Sequence, residues 1–178
     1  MVSLQDITAS NWHDICALTV APEQASWVAP NDFSLLQAAY GLPGELAHLR
    51  LVPLAIFADE TPVGFALYNT APERDRFFIM RVMIDWRHQH RGYGRAALQQ
   101  MLALFRVHPQ AKEVAVSYQA DNPAAGELYR SCGFVEVGVE GDEVMMWQPL
   151  HPQPVAWESF WNPAFVYEGA SEFPALKQ

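Results

Sequence analysis

The stretch from Phe77 to Arg106 constrains this chain more than any other. Phe77 to Ile84 is apolar except for Arg81 and reads as a buried strand. Seven residues, Asp85 to Arg91, lead to Gly92-Tyr93-Gly94. The run from Gly94 to Arg106 then places Ala97, Leu98, Met101, Leu102 and Phe105 on one helical face. A strand, a glycine bend and an amphipathic helix in that order call for a sheet covered by helices. They also make a place for an anion, because a helix start has N–H groups without intrahelical partners and the positive end of the dipole. Glycine lets the backbone approach a ligand closely, and Arg87, Arg91 and Arg95 can pair with phosphate oxygens. The other reading is a plain glycine turn before an ordinary helix. The strand, helix and arginines together favour the anion.

Charge fits either a local anion site or arginines on a solvated face, and disfavours a nucleic-acid surface. The net charge of the 178 residues is −9. From Met1 to Glu73 there are eight acids and one base, Arg50. Six of the eleven basic residues then lie between Arg74 and Arg95, opposed there only by Asp75 and Asp85. A small basic cluster on an acidic chain suits a small anion, while the acidic remainder attracts cations.

The rest of the chain reads as β-α-α-β-β-β-α-β-α-β-β, a mixed α/β sheet with helices on its faces. Leu4 to Thr8 opens it as a strand. Ser10 or Asn11 is expected to cap a helix reaching about Val20, and Asn31 or Asp32 a second helix ending near Gly41. Pro53 to Ala58 and Val63 to Tyr68 form a hairpin through Asp59-Glu60-Thr61-Pro62. Glu113 to Tyr118 is a strand. Asn122-Pro123 starts a helix as N-cap and first residue, and Gly133 suits the left-handed position after it. Phe134 to Val137 and Val144 to Trp147 complete the sheet. This gives one domain, residues 1–150, followed by an aromatic-rich extension, residues 151–178, with Trp157, Phe160 and Trp161 among its rings. The extension is expected to be buried against something, since large exposed aromatic patches are uncommon.

Gly92-x-Gly94-x-x-Ala97 also fits a loose dinucleotide-binding pattern, but that pattern needs glycine directly after the strand and an acid closing the next one. Here the glycine comes late and Glu113 opens the next strand. Cys16 and Cys132 read as packing residues, and the histidines have no metal spacing, so no metal is expected. The N-terminal residues lack a basic, apolar leader pattern and no run is long enough to span a membrane. A cytoplasmic location without membrane or nucleic-acid partners is the expectation.

Gln89-x-x-Gly92-x-Gly94 resembles the acetyl-coenzyme A loop of the GNAT N-acetyltransferases. Arg81 through Asp85, Gly94 through Leu98, Asn122-Pro123 through Leu128-Tyr129, and Cys132-Gly133-Phe134 are similar to its bacterial spermine/spermidine acetyltransferase-like branch. So are the hairpin Thr61 to Phe65 and the residues Gln24, Val28 to Asn31 and Ser34. The likeness runs discontinuously from Leu4 to Leu150. It implies a splayed central sheet and acetyl-CoA as cosubstrate. The main chain of Val82, Met83 and Ile84 would hold the pantetheine arm, and one of their N–H groups would stabilise the oxygen that gains charge. The N–H groups of His90, Arg91, Gly92, Tyr93, Gly94 and Arg95 would hold the pyrophosphate, with Gln89 a further cofactor-binding residue. The acetyl group would pass directly to the amine of a small molecule.

Asn122 and Tyr129, seven apart, share one helix face. The resemblance makes Tyr129 the proton donor to the departing sulfur and Asn122 a cofactor contact. A thiol of pKa about 8.5 and a phenol of about 10 are close enough for transfer. The alternative is a buried aromatic and a simple cap. Glu23 and Asp32 lie where the family shapes its acceptor pocket; they either meet an ammonium or are two exposed carboxylates. His90-Arg91 stands where many relatives have lysine. Met80 precedes Arg81 where some polyamine enzymes have Asp, so an amino acid or a peptide N-terminus stays beside polyamines as acceptor. A homodimer is expected. A CoA-binding domain without turnover is the alternative to an enzyme.

Overall fold

In the computed structural model, residues 1–70, 76–108 and 111–151 are described. Beyond His151, the aromatic extension lies outside them. Seven strands form one sheet: β1 (Val2–Asp6), β2 (Arg50–Ala58), β3 (Thr61–Thr70), β4 (Arg76–Ile84), β5 (Glu113–Gln119), β6 (Val135–Glu140) and β7 (Glu143–Pro149). Their order across the sheet is β1-β2-β3-β4-β5-β7-β6. Among the described residues only β4 and β5 are parallel, and the helix between them makes the crossover that parallel strands require. The helices are α1 (Trp12–Cys16), α2 (Asn31–Tyr40), α3 (Tyr93–Arg106) and α4 (Pro123–Ser131). The mixed α/β class and the order of elements are as the sequence predicts.

The apolar stripe of α3 packs with Leu54, Ile56, Val63, Phe77, Ile79 and neighbours into the larger core, which α4 joins through Tyr129. The opposite face of β2, β3 and β4 is covered by α1 and α2, where Ile15, Leu18, Phe57, Phe65, Leu67 and Met83 cluster. Strand alternation supplies both cores from the same strands.

Three local expectations are corrected. First, α1 stops at Cys16, well before Val20. The main chain of Thr19 is taken by tertiary partners: its N–H donates to Asp85 Oδ2 at 3.0 Å, and its carbonyl accepts from Trp86 N–H at 2.9 Å. Second, Asn31 caps α1 rather than α2. Its buried amide donates to the carbonyls of Ile15 at 2.8 Å and Leu18 at 3.3 Å, while Pro30 holds the N-cap position of α2. Third, Asn11 makes no side-chain cap for α1; it accepts from Thr8 N–H at 2.8 Å and donates to the Asp6 carbonyl at 3.0 Å, fixing the turn after β1.

The β4–β5 ladder positions the site. Arg76 pairs with Glu113, Phe77 with Val114, Phe78 with Ala115 and Ile79 with Val116, and there the pairing ends. β4 continues five residues to Ile84 beside β3, and β5 continues to Gln119 beside β7. The sheet therefore opens between its two halves. Met80 begins the opening: β3 pairs Leu67 with Arg81 and Tyr68 with Ile79, so Met80 is an extra residue in β4. Such a bulge bends its strand and increases the local twist.

Candidate functional site

The open edge of β4 has a definite polarity. The Asp85 N–H donates to the Val63 carbonyl at 2.9 Å, so the main-chain groups of Asp85 face β3. Alternation along the regular stretch Gly64 to Leu67 then turns Met83 and Arg81 toward β3 and Val82 and Ile84 toward the opening. Of the three expected main-chain ligands, Val82 and Ile84 face the gap. Met83 instead faces Phe65 of β3, and its side chain lies in the α1–α2 core, 3.7 Å from the Asn31 amide.

The loop after β4 is held at both ends. Asp85, wholly buried, accepts from Thr19 N–H, from Arg87 N–H at 3.0 Å, and from Arg87 Nε at 2.8 Å and its terminal nitrogen at 3.1 Å. Burial alone would raise its pKa. The Arg87 guanidinium and the two N–H groups outweigh burial and hold the carboxyl below its ordinary value. At the far end, Gln89 Nε2 donates to the Ile84 carbonyl at 3.0 Å and to Gln24 Oε1 at 2.8 Å. Gln24 Nε2 donates back to Gln89 Oε1 at 3.3 Å. The side chain of Gln89 thus braces the loop.

Between these anchors the backbone bends through left-handed conformations at His90 (φ 61°) and Gly92 (φ 80°). α3 starts at Tyr93 with Gly92 as N-cap and no side-chain cap. Its first-turn N–H groups, including those of Tyr93, Gly94 and Arg95, point out of the helix start as in any helix. His90, Arg91 and Arg95 are exposed around the bend. Arg91 donates to the Arg87 carbonyl at 3.3 Å. A Cβ placed on Gly94 would lie 3.4 Å from Leu128 and 3.7 Å from Ile84, so the start of α3, the end of β4 and α4 meet at this glycine.

Tyr129 follows Leu128 on α4 and is 6% exposed. Its ring lies 5.9 Å from Phe134, edge on, and 6.2 Å from Tyr118 on the open end of β5. Burial first, then the charges that Cys132 and Glu143 can carry, push the phenol well above its ordinary range. Asn122 caps α4, its side-chain oxygen accepting from Ala125 N–H at 3.3 Å. Pro123 and Gly133 (φ 96°) take the positions expected of them. Glu23 is exposed on a one-turn helix, Pro22–Gln24, whose last residue braces Gln89. Asp32 is exposed in the first turn of α2, accepting from its own neighbour Phe33 N–H at 2.7 Å.

These features can grip an extended, amide-bearing chain along β4 and a phosphate group at the bend. The profile of the Acetyltransferase (GNAT) family matches residues 8–134. The chain belongs to the GNAT acetyltransferase family. Among its relatives is the spermine/spermidine N(1)-acetyltransferase of Bacillus subtilis (strain 168), 26% identical over 154 residues, covering 82% of this chain and 97% of the relative. Among solved structures, the spermidine N-acetyltransferase of Vibrio cholerae in complex with CoA and spermine aligns with a TM-score of 0.64 at 17% identity, over 84% of this chain and 95% of that one. An aminoglycoside acetyltransferase AAC(6')-Ib in complex with coenzyme A aligns at 0.68 and 19%, with the same coverages. The fold is that of GNAT acetyltransferases.

The structure brings Val82, Ile84 and the bend at the start of α3 to one opening in the sheet, and α4, which carries Asn122 and Tyr129, meets them at Gly94 through Leu128. It leaves Glu23 and Asp32 on the side of the N-terminal helices. Three roles were missed in the sequence: the bulge at Met80, which opens the ladder, and the bonds of Thr19 and Gln24, which hold the loop. Nothing local marks Met80, because methionine suits either face of a strand. Thr19 and Gln24 lie 66 and 65 residues from their partners. Among the described residues no group of three or more His, Cys, Asp or Glu could hold a metal ion, and no helix is long and apolar enough to cross a membrane.

Proposed function

We propose that this GNAT domain transfers an acetyl group from acetyl-CoA directly to the primary amine of a small molecule, with a polyamine as first candidate. The half-paired β4 carries this reading. An arm containing amides can bond to Val82 and Ile84 as an added strand does, and a diphosphate can take the N–H groups of the adjoining bend. When bound, acetyl-CoA supplies an acetyl group already activated as a thioester. The chain's own groups do the rest. One N–H on the open edge of β4 would donate to the carbonyl oxygen as it gains charge. Asn122 has its amide nitrogen left for the cofactor while its oxygen caps α4.

Tyr129 would give its proton to the sulfur that leaves. Burial keeps the phenol protonated at neutral pH. It also widens the gap to an ordinary thiol at about 8.5, but a sulfur anion in the same apolar surroundings is destabilised too. The acceptor would come from the side of the N-terminal helices, which in the family shape its pocket and where Glu23 and Asp32 are exposed. Eight acids against one base in residues 1–73 favour a cationic acceptor, and the relatives named for spermine and spermidine point the same way.

The test is thiol release from acetyl-CoA with a panel of amines: spermidine, spermine, an aminoglycoside, free amino acids and a short peptide. A polyamine should lead. Release with none of them, while CoA binds, would leave a CoA-binding module without turnover. With the best amine, Tyr129→Phe should lower turnover about 10²-fold, the low end for general acid catalysis, and leave CoA affinity nearly unchanged. A variant that lost affinity and not turnover would remove Tyr129 from the proton path.

A further inference from the structure

We infer that Gln24, on the acceptor side of the molecule, is a positioning residue for the diphosphate-binding bend and acts through the Gln89 side chain. This rests on the reading of the bend as a CoA site. The geometry is unusually complete for two side chains 65 residues apart. Gln89 Nε2 spends its two hydrogens on the Ile84 carbonyl at 3.0 Å and on Gln24 Oε1 at 2.8 Å, and Gln89 Oε1 accepts from Gln24 Nε2 at 3.3 Å. Gln24 Oε1 also accepts from the Ala21 N–H at 3.1 Å, which fixes the amide of Gln24 itself. The chain of bonds runs from the turn at Ala21 to the last carbonyl of β4.

The consequence is an orientation. A primary amide has a donor side and an acceptor side of nearly equal shape. Gln89 braces the loop only if its nitrogen faces Ile84; turned over, it would set two oxygens against each other. Gln24 selects the bracing orientation, because its own amide is already set by Ala21. The next residue, His90, sits at φ 61°. A non-glycine residue in that region costs about 1–2 kcal/mol and persists only where its surroundings hold it. Gln89 is the neighbour that holds it, and His90 begins the bend whose N–H groups are to meet the diphosphate. The same segment is fastened a second time, by Thr19 to Asp85 and Trp86. Removing Gln24 therefore frees the far end of the loop and leaves its near end tied.

The experiment is a double-mutant cycle on CoA binding, with coenzyme A itself titrated by calorimetry into wild type, Gln24→Ala, Gln89→Ala and the double variant. Gln24→Met is included because it fills similar space without hydrogen bonds. Each single variant should weaken CoA five- to tenfold. The double variant should be no weaker than the weaker single one, since both remove one brace. Melting temperatures of the ligand-free variants separate affinity from folding. A general packing defect would lower them and give additive losses in the cycle. Unchanged affinity in both Gln24 variants, or additive losses, overturns the role of Gln24 while leaving the CoA site intact. Failure of the wild type to bind CoA overturns the site itself.

Discussion

The two ends of β4 are built on opposite rules. At the Arg76 end every device closes the sheet. β4 and β5 are paired from Arg76 to Ile79, Glu113 accepts from Trp147 Nε1 at 3.0 Å across to β7, and Arg76 forms an ion pair with Glu113. Phe77 stacks on Phe105 at 4.3 Å, with Tyr68 edge-on to both at 5.8 and 4.9 Å. At the Ile84 end the ladder is abandoned, Val82 and Ile84 are only partly buried, and polar bonds hold the loop instead of a core. Main-chain groups that serve a ligand cannot also serve a neighbouring strand. The closed end fixes the angle at which the open end is presented.

The largest effect expected from this contrast is at the closed end. Glu113 is 3% exposed and is the acceptor shared by Arg76 and Trp147. Glu113→Ala should destabilise the fold by about 3–5 kcal/mol, the usual cost of breaking a buried pair by removing one partner, read as a lower urea midpoint. CoA affinity of the folded variant should change little. A large loss of affinity would mean that the closed end sets the width of the opening, and the two ends would not be separable.

Asp85 tests the open end, with an effect of the next size. Its carboxylate accepts charge-assisted bonds from Arg87, whose half-exposed guanidinium is screened by solvent, so the loss is smaller than at Glu113. The folded pKa lies below the ordinary 3.8, so ionised Asp85 stabilises the fold above that value and the contribution is lost as pH falls through the folded pKa. Asp85→Asn has no such titration. Unfolding in urea across a pH series should show a gap between wild type and variant that is constant near neutrality and narrows below about pH 4. A gap independent of pH down to acid unfolding would remove the charge of Asp85 from the account. The variant should also bind CoA more weakly, because the near end of the loop is released.

What was legible in the sequence follows the same division. The order of the elements could be read because period and punctuation are local properties: the α3 stripe, Pro123 at a helix start, Gly133 after a helix end. The bend could be read because glycines and arginines cluster there within a few residues. The end of α1 could not, because Thr19 is drawn out of helical bonding by Asp85. The cap supplied by Asn31 could not, because asparagine before a helix looks the same whether it serves that helix or the previous one. Within the site, the choice of Val82 and Ile84 over Met83 depended on which way one N–H pointed, and the Met80 bulge set that phase.

The smallest expected effect separates backbone strain from ligand binding. Gly92 (φ 80°) and Gly41 (φ 84°) both take a positive φ that L residues resist, in two different regions, and a Cβ at either would meet nothing within 4 Å. Alanine at Gly92, whose ψ of 2° is left-handed helical, carries a backbone cost of about 1–2 kcal/mol. At Gly41, whose ψ of −179° lies in a region nearly closed to L residues, the cost is larger, and neither position adds a steric clash. Gly41 ends α2, away from the bend; Gly92 is the N-cap of α3. Both variants should lose thermal stability, Gly41→Ala the more. Only Gly92→Ala should weaken CoA, by roughly tenfold if the strain of about 1.4 kcal/mol is relieved by leaving the binding conformation and must be restored by the ligand. Equal affinity in the two variants would mean that the bend reaches its ligand without the left-handed residue. The difference between the ends of β4 would then rest on the open strand alone.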